Sequence, residues 1–535
     1  MRIVLYGMPC AGKTTFLNSI KDIKVINGSK ELNKDGKFRK LSTSEQNLRR
    51  MELVNLLKKE KDTFIIDGHY CFFKQTQDYE YVMTKDDALF YDVFLYLYEK
   101  PEIISERLKK SYKNISYKND FESVKEWQDK EIKELREICH QTNKDFYIID
   151  DVSYLKEFIN DLIAGKVKSN IVIAKEIVNN MSPISKKIIL FDGDKTIVKE
   201  DTSRLFFDYK THIFDNNFYS GFQFWMQQKE MEGFVVDYER FKTIEYNKEI
   251  EKLLNQHKEN SYIISSGHSD IWQKIGKQFS VKPFAGPHIN ADVKYFVVKL
   301  LKENGCKVSA LGDSFNDYFM LKSSDCGMLV VNGKVSRSLN NVDLNCLHPI
   351  YTGNHVILNS VDVNDKELEK LINITKSNSG ISGNELAKAH IKLGEKIGAY
   401  LNLRYDATKT SIIELERSGH FLGDGIYFNF NGKYYTYNEK YDPVPEIETQ
   451  NVVIVDGVIN SGKTIFHLIE LLKENPNVKN IIIATNVIQK DSLILFKDYP
   501  LYAIRASENK FIGSKIKKQE GMKGPDTSDR LFNLL

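Results

Sequence analysis

The sequence opens with the stretch that decides its first fold, Ile3-Val-Leu-Tyr-Gly7-Met-Pro-Cys-Ala-Gly12-Lys13-Thr14-Thr15. A short apolar run leads into a loop with the spacing GxxxxGKT, and a helix-like stretch follows. Glycines let backbone amides point inward around a phosphate, and the positive end of the next helix favours the same anion. The loop therefore predicts a nucleoside triphosphate site. We expect the Lys13 ammonium to bind the β- and γ-phosphates and the Thr14 hydroxyl to bind Mg²⁺. The full set of expected ligand residues is Gly7, Gly12, Lys13, Thr14 and Thr15.

The length and composition limit the classes of protein to consider. A chain of 535 residues is too long for one core, and roughly 150 residues per domain suggests three or four domains. With 76 basic and 73 acidic residues the net charge is +3, which disfavours nucleic acid as a partner without excluding it and gives no footprint for an anionic membrane. Small phosphorylated metabolites remain the expected partners.

Neither the cysteines nor the apolar segments suggest secretion or membrane insertion. The six cysteines lie far apart and form no CxxC pair, so neither a disulfide framework nor a zinc site is predicted. The N-terminus lacks the pattern of a secretory signal, and no window approaches the roughly 18 apolar residues that cross a bilayer. We therefore expect a soluble, cytoplasmic protein.

Apolar, β-prone runs alternate with helix-length amphipathic stretches along the whole chain, which predicts an α/β protein with three consecutive α/β domains. The first domain is placed at 1–165 and the second at 186–348, with a mostly helical cap inserted at 203–254. The third domain is placed at 370–535. The segments 166–185 and 349–369 are expected to be linkers. The predicted strands are 3–6, 63–66, 93–98, 146–149, 187–191, 262–265, 308–311, 327–331, 452–455 and 480–484.

Two charged residues downstream of the first loop are candidates for catalysis. Asp67 ends a predicted strand, where it could hold water on Mg²⁺ or act as a base, although many strand-end aspartates only cap the next helix. Arg107 lies on a basic helix face that could clamp the transferring phosphate or simply face solvent. Residues 1–165 resemble the small P-loop kinases of nucleosides, nucleotides and similar metabolites. The resemblance implies ATP as the donor and leaves the acceptor open.

A second motif, Asp192-Gly193-Asp194-Lys195-Thr196, follows the apolar run 188–191. Paired carboxylates on a tight turn can divide the roles of nucleophile and proton donor. In this interpretation Asp192 attacks phosphorus, Asp194 protonates the leaving oxygen, and Mg²⁺ allows the two anions to approach. Taken alone, the motif could also be a polar loop or a calcium-binding turn.

Three later features agree with the first interpretation. Ser265 ends the strand 262–265, a lysine follows at 294, and the acidic loop Gly312-Asp313-Ser314-Phe315-Asn316-Asp317 comes last. In order and spacing, residues 186–348 resemble the haloacid dehalogenase-like hydrolases. The resemblance implies a Rossmann-like fold, a cap of the phosphoserine-phosphatase type and phosphomonoester cleavage, with Lys299 as the alternative to Lys294. It assigns phosphate contacts to Thr196, Ser265 and Ser266, charge neutralisation to Lys294, and metal binding to Asp192, Asp194, Asp313 and Asp317.

The third motif is Val455-Asp456-Gly457-Val458-Ile459-Asn460-Ser461-Gly462-Lys463-Thr464. It formally satisfies the same loop pattern as the first motif, so a second triphosphate site is the alternative. The segment more closely resembles the phosphate loop of type I phosphoribosyltransferases. There a strand-end acid contacts ribose and the loop holds the 5′-phosphate, which assigns ligand contacts to Asp456, Asn460, Ser461, Gly462 and Thr464.

Two further segments resemble the uracil-type branch of this family. Together with the loop, the resemblance covers residues 370–535. Residues 414–419 match its pyrophosphate loop, with Arg417 on the leaving group. Residues 524–530 match its base-side segment, with Asp526, Asp529 and Arg530. The resemblance implies Mg²⁺, phosphoribosyl pyrophosphate as co-substrate and a homo-oligomer formed through this domain. Lys463 stands where the family has a small residue, and 502–523 departs from the usual base-recognition stretch.

The leading hypothesis is a multifunctional enzyme of nucleotide metabolism that combines phosphoryl transfer, phosphate removal and phosphoribosyl transfer. An end-healing enzyme similar to polynucleotide kinase-phosphatases is one alternative. The other is a kinase and phosphatase regulated by a C-terminal domain that only binds phosphoribosyl pyrophosphate or a nucleotide.

Overall fold

The structure is a computed structural model that describes residues 1–111, 116–181, 186–333, 335–340, 342–352, 354–361, 365–510, 512 and 525–535. Most of 502–523 beyond residue 510, and Gly524 of the last motif, lie outside the described residues, as do 182–185 of the first predicted linker. The chain divides into two compact units, 1–329 with 337–349 and 330–336 with 350–535. Within the described part, no helix is both long and apolar enough to cross a membrane.

The first sheet has five parallel strands in the order β2-β3-β1-β6-β7. β1, β3, β6 and β7 are largely buried on both faces, as is usual in parallel sheets covered by helices, whereas the edge strand β2 is partly exposed. β1 is central, so the loop that follows it lies at the middle of the carboxyl edge. The elements are β1 (Arg2–Tyr6), α1 (Lys13–Ser19), β2 (Lys24–Ile26), α2 (Gly28–Leu32), α3 (Thr43–Leu57), β3 (Phe64–Asp67), β4 (Cys71–Phe73), β5 (Tyr79–Tyr81), α4 (Lys85–Phe90), β6 (Val93–Leu97), α5 (Pro101–Lys109), α6 (Phe121–Thr142), β7 (Asp145–Ile149), α7 (Leu155–Ile163) and α8 (Asn170–Asn179).

The second sheet has six strands in the order β10-β9-β8-β11-β12-β13. β8 lies between β9 and β11, and all three are parallel. The three motifs that follow these strands therefore meet at one edge. The elements are β8 (Lys187–Phe191), α9 (Thr202–Phe207), α10 (Gly221–Glu230), α11 (Lys248–His257), β9 (Ser261–Ser265), α12 (Ser269–Phe279), β10 (Lys282–Ala285), α13 (Ala291–Glu303), β11 (Lys307–Gly312), α14 (Phe315–Ser323), β12 (Cys326–Asn332) and β13 (His348–Thr352).

The inserted segment 203–254 does not lie wholly over the second sheet. Phe222, Trp225 and Met226 of α10 are buried in the hydrophobic core of the first sheet, beside Tyr147 and Phe158. The hydroxyl of Ser220 accepts a hydrogen bond from the Ile148 amide at 2.9 Å. Large aromatic side chains gain most from burial, so α10 packs where the first sheet offers an apolar face. Part of the predicted cap is thus a structural component of the first sheet's core.

Both predicted linkers contain regular structure. α8 begins in 166–185, and its Asn170 side chain accepts a hydrogen bond from Asn290 at 2.9 Å. In 349–369, β14 (His355–Ile357) extends the third sheet and α15 (Leu358–Val361) follows it directly. The domain boundaries themselves stay predictions.

The third sheet also has six parallel strands, in the order β14-β19-β18-β17-β15-β16. α17 and α18 pack together closely because Gly394 and Gly425 meet the facing backbone, where any Cβ atom would overlap. The prediction of an α/β protein with several parallel sheets is confirmed. The remaining elements are α16 (Lys366–Thr375), α17 (Gly383–Asn402), β15 (Thr410–Leu415), α18 (His420–Phe430), β16 (Lys433–Tyr437), β17 (Asn451–Ile459), α19 (Lys463–Lys473), β18 (Asn480–Gln489), β19 (Leu501–Ser507) and α20 (Thr527–Leu531).

Candidate functional site

The first loop joins β1 to α1 at the centre of the first sheet. Gly7 and Gly12 have φ values of 145° and 101°, which only glycine adopts without strain. A Cβ atom on Gly7 would also lie 2.7 Å from the Leu97 carbonyl oxygen. Thr14 and Thr15, in the first turn of α1, are exposed. The loop thus presents backbone and hydroxyl groups at the start of a helix, as anion binding requires.

Lys13 is buried and turned back onto its own loop. Its Nζ donates to the carbonyl oxygens of Gly7 at 2.5 Å and Met8 at 3.0 Å, and lies 3.5 Å from His69 Nδ1. Burial lowers the pKa of Lys13 to about 8, although nearby Glu131 and Asp67 oppose this shift. Burial also lowers the pKa of His69 far below its usual value, and the charge of Lys13 adds to the effect. Both shifts favour a neutral His69 beside Lys13, and Arg50 and Arg107 line the same cavity.

A cavity of about 1830 Å³ surrounds the loop, and the predicted catalytic residues of this domain line it. Asp67 Oδ1 accepts a hydrogen bond from the Gly28 amide at 2.8 Å, at the start of α2. Arg107 Nη1 donates to the Cys10 carbonyl oxygen at 3.0 Å and lies 3.2 Å from Glu99. Asp67 therefore has a structural contact as well as access to the cavity, and Arg107 reaches the phosphate loop directly.

At the edge of the second sheet, one lysine bridges two carboxylates. Lys294 Nζ lies 2.6 Å from Asp192 Oδ1 and 2.6 Å from Asp317 Oδ1, and its side chain is 0% exposed. Asp192 follows β8, Asp317 lies in the first turn of α14, and Lys294 lies on α13. Three separate elements thus bring together Asp192 and Asp317, which are 125 positions apart in the sequence.

Burial dominates the electrostatics of this cluster. It raises the pKa of Asp192 to about 7, with the charge of Asp317 adding to the shift and Lys294 opposing it. Burial raises the pKa of Asp194 to about 8, with Asp201 adding to it. The pKa of Asp313 is raised well above its usual value by burial and by the neighbouring aspartates. Carboxylates held this close favour a bound cation.

The donor set fits Mg²⁺. Ligand oxygens of Asp192, Asp313 and Asp317 lie within 4.8 Å of one another, and carboxylate oxygens are the ligands that this hard cation takes. Asp194 is directed differently, since its Oδ1 accepts a hydrogen bond from the Thr202 amide at 2.7 Å. Its side chain therefore stands apart from the three-carboxylate group and is held by the start of α9.

The predicted phosphate-binding residues line the same edge. The Ser265 hydroxyl accepts from the Gly267 amide at 3.0 Å. The Ser266 hydroxyl donates to the Ile289 carbonyl oxygen and accepts from Asn316 at 2.7 Å. Thr196 is buried, and its hydroxyl has no hydrogen-bond partner among the described residues. Lys299, the alternative to Lys294, instead donates to the His140 carbonyl oxygen and to Asn143, outside this cluster.

Sequence reasoning missed the support beneath these motifs. Trp272 of α12 is fully buried and lies directly under the aspartate loop, where Cβ atoms on Gly193 or Gly267 would overlap its ring. Its spacing within an ordinary amphipathic helix carries no signal of this contact. The glycines of the DGD and SSG segments are therefore explained by close packing.

In the third sheet, Asp456 lies inside β17 and not at the end of a strand as predicted, because the pairing of β17 with β18 continues to Ile459. Several side chains of the motif are already engaged. The Ser418 hydroxyl donates to Asp456, and burial raises the pKa of Asp456. Asn460 exchanges two hydrogen bonds with the backbone of Ile512, at 3.0 and 2.8 Å. Gly462 has φ 69° and precedes α19, with Ser461 exposed and Thr464 half-buried beside it. The loop surrounds a helix start, while Asn460 stabilises the loop.

The residues assigned to pyrophosphate and base lie near one another. Arg417 Nη2 donates to Asp529 Oδ1 at 3.3 Å. Asp526 caps α20 by accepting from the Ser528 and Asp529 amides. Arg530 is 1% exposed and donates to the Ile381 carbonyl oxygen at 2.8 Å and to other groups of 374–381. Its bonds hold this segment together, so Arg530 and Asp526 have structural contacts that the motif did not predict.

A cluster of three possible metal ligands, which begins with the first residue of the predicted pyrophosphate loop, also escaped the sequence analysis. Ligand atoms of Glu414, His420 and Asp424 lie within 4.8 Å of one another. Glu414 is fully buried and accepts hydrogen bonds from Tyr434 and Thr436, while His420 Nδ1 lies 2.8 Å from it. The spacing of His420 and Asp424, one helical turn apart, was the available signal.

Comparison with known proteins bears on the N-terminal part. A family model described as an AAA domain matches residues 6–125, the range that contains the phosphate loop, Asp67 and Arg107. The N-terminal part of the chain has a P-loop fold. No curated protein matches the chain by sequence.

Solved structures give three further similarities. The AQ2163 protein from Aquifex aeolicus is 14% identical, with 32% of this chain and 97% of that chain covered and a TM-score of 0.26. The xanthine-guanine-hypoxanthine phosphoribosyltransferase from Helicobacter pylori is 14% identical, with coverage of 24% and 84% and a TM-score of 0.19. The adenine phosphoribosyltransferase from Thermoanaerobacter pseudethanolicus is 17% identical, with coverage of 23% and 82% and a TM-score of 0.20.

Proposed function

We propose that the chain is a multifunctional enzyme of nucleotide metabolism. The P-loop part transfers a phosphoryl group from ATP, residues 186–348 hydrolyse a phosphomonoester with Mg²⁺ through an aspartyl-phosphate, and residues 370–535 transfer phosphoribosyl from phosphoribosyl pyrophosphate to a nucleobase-like acceptor. The observation that carries the proposal is the buried cluster in which Lys294 bridges Asp192 and Asp317 beside Asp313.

In the hydrolytic reaction, Asp192 is the nucleophile. Its carboxylate oxygen forms a bond to phosphorus as the bond to the leaving oxygen breaks, and Asp194 gives that oxygen its proton. Asp194, now ionised, takes a proton from water, whose oxygen attacks phosphorus and releases phosphate from Asp192. Burial supports the first role, because it raises the pKa of Asp194 to about 8 and keeps a proton there near neutral pH.

The neighbouring residues of this cluster control charge and position. Mg²⁺, held by Asp192, Asp313 and Asp317, supplies charge neutralisation for phosphate when bound. Lys294 adds a fixed positive charge in a water-excluded site, where it is worth more than in solvent. Ser265 and Thr196 offer hydroxyl groups to the phosphate oxygens.

In the P-loop reaction, Lys13 exchanges its two loop carbonyl contacts for the β- and γ-phosphate oxygens of ATP. Arg107 already contacts the loop at Cys10, so it needs little movement to reach the transferring group. Asp67 lines the same cavity and takes the proton from the acceptor hydroxyl. The acceptor reaches the loop from the open part of the cavity.

For the C-terminal reaction, Asp456 holds the ribose hydroxyls and Ser461 to Thr464 the 5′-phosphate, while Arg417 holds the departing pyrophosphate. A second candidate, a domain that binds this ligand without transfer, is favoured by one observation: Asn460 and Arg530 are committed to backbone contacts. Measuring pyrophosphate release and ligand binding together separates the two candidates. A domain that only binds the ligand shows binding without pyrophosphate release.

The proposal is tested by a metabolite screen on the intact chain that follows phosphate release, pyrophosphate release and ATP consumption together. Free nucleosides and oligonucleotides with a 5′-hydroxyl serve as competing acceptors, since phosphorylation of the oligonucleotide alone would favour end healing. The Asp192→Asn variant should lose phosphate release and keep ATP consumption. Loss of neither activity would overturn the assignment of the aspartate cluster.

A further inference from the structure

The cavity around the first loop has two sides, set by the order of the strands. α3 precedes β3 in the chain and packs against α2 and α4, so its cavity-facing residues lie on the β3 side, where Asp67 ends its strand. Arg107, Tyr98 and Asp150 line the cavity on the β6 and β7 side. The two sides meet at the phosphate loop, and each can hold one of the two reactants.

Arg50 is the charged side chain of α3 that lines this cavity. It is 7% exposed, and its guanidinium lies 5.4 Å from the centre of the Phe38 ring. Nη1 donates to Asn47 Oδ1 at 2.6 Å, whereas Nε has no hydrogen-bond partner among the described residues. A buried guanidinium whose donors are not all used is costly unless another group supplies the acceptors.

The carboxylates nearest to Arg50 are engaged elsewhere. Glu80 pairs with Lys74 at 2.9 Å, and Asp87 forms the capping box of α4 with Thr84. Within the part of the chain that the structure describes, no acid lies within 4.0 Å of the Arg50 guanidinium, although Glu80 and Asp87 act on it at longer range. The β3 side of the cavity thus holds a buried cation without a direct ion pair.

We propose that Arg50 binds an anionic group on the phosphoryl acceptor, so that the acceptor already carries a phosphate or a carboxylate when it receives the γ-phosphoryl group. This inference rests on the proposed kinase activity. Arginine suits the role because its planar fork binds either anion through two hydrogen bonds, and the Phe38 ring beneath it fixes the plane. In the transfer, the acceptor hydroxyl oxygen bonds to the γ-phosphorus, the bond to the β–γ bridging oxygen breaks, ADP leaves, and the hydroxyl proton passes to Asp67.

The test measures binding with the donor side filled. The intact chain carrying Asp192→Asn is saturated with Mg²⁺ and a non-hydrolysable ATP analogue, and nucleosides are then compared with their 5′- and 3′-monophosphates by calorimetry. A second arm uses the corresponding nucleoside 5′-carboxylic acids, which distinguishes a phosphate from a carboxylate. We expect at least one anionic probe to bind about 10-fold or more tightly than its neutral nucleoside, a difference of about 1.4 kcal/mol.

Variants on the same helix identify the residue responsible. Arg50→Gln should erase the preference for the anionic probe, Arg50→Lys should keep part of it, and affinity for the ATP analogue should stay the same in both. The matched control is Arg49→Gln, because Arg49 is paired with Asp35 at 2.6 Å on the outer surface. This variant should leave every affinity unchanged.

Two results would overturn the inference: no anionic probe binds more tightly than its neutral counterpart, or the preference survives in Arg50→Gln. Neither result touches the proposed kinase activity, which fails separately if the unmutated chain does not bind the ATP analogue. Binding that Arg50→Gln leaves intact would belong to one of the other two proposed phosphate sites, the aspartate cluster of the second sheet or the loop at 461–464.

Discussion

Replacing Lys294 by methionine should both destabilise the protein and stop phosphate release. The lysine lies 2.6 Å from two carboxylates and is 0% exposed, and breaking a buried ion pair by removing one partner costs about 3–5 kcal/mol. Because the pKa of Asp192 is already raised to about 7, this carboxyl can take up a proton when the lysine is absent. That uptake limits the loss, so we expect about 3 kcal/mol at pH 7, and less at pH 5.

The assay combines urea unfolding of the metal-free protein with hydrolysis of p-nitrophenyl phosphate in Mg²⁺. Removing a preorganised charge from the reacting centre should lower the rate by about 10²–10³-fold, while affinity for ATP stays unchanged. Lys299→Met is the control, since that lysine contacts the His140 carbonyl and Asn143 and should change stability by less than about 1 kcal/mol. The reasoning is refuted if both variants behave alike, or if Lys294→Met retains more than a tenth of the rate.

Three other outcomes follow from the geometry. Lys13→Ala should lower ATP turnover by at least about 10²-fold and Asp192→Asn should abolish phosphate release, each leaving the other rate intact; joint loss in folded protein would contradict separate sites. Burial raises the pKa of Asp145 to about 6. The protonated carboxyl therefore favours the folded state, fully so below the pKa it has in the unfolded chain, and this contribution to stability is lost as the pH rises through about 6. Asp145→Asn, which keeps an acceptor for the Asn170 amide, should therefore stabilise the protein more at pH 8 than at pH 5 by roughly 1 kcal/mol in urea unfolding, and equal gains would oppose this. Asp456→Asn should weaken binding of phosphoribosyl pyrophosphate at least about 10-fold in calorimetry, with an unchanged affinity speaking against the ribose contact.

The sequence was sufficient to predict the strands that end in motifs. β1 and β8 are apolar runs followed by a glycine-rich and an acidic turn, and parallel pairing places each turn at one edge of its sheet. β17 instead continues through Asp456 and Gly457 to Ile459, which its short apolar run did not predict. Local pattern and chemistry agree there, because a strand end, a tight turn and a helix start are all encoded within about fifteen residues. The contact of Lys294 with Asp192 was predicted through the resemblance, since nothing local to Lys294 separates it from Lys299.

The sequence could not predict contacts made across long separations. The sequence places Trp225 in an inserted helix of the second domain. In the structure it packs in the core of the first sheet, against residues about seventy positions earlier in the chain. Arg530 reads as a ligand residue in a motif, yet its guanidinium binds carbonyl groups near Ile381. Arg50 lies in a helix with many charged residues, and nothing in the sequence distinguishes it as a residue that lines the cavity. In each case the partner is chosen by tertiary packing, which periodicity does not report.

The identity of the nucleophile is the central claim, and it can be measured directly. The protein is incubated with p-nitrophenyl phosphate and Mg²⁺, quenched in acid and reduced with borohydride, which converts an aspartyl-phosphate to homoserine that mass spectrometry of peptides locates. We predict homoserine at position 192, absent without substrate and absent in Asp192→Asn. Homoserine at another aspartate, or phosphate release with no modified residue at all, would contradict the mechanism.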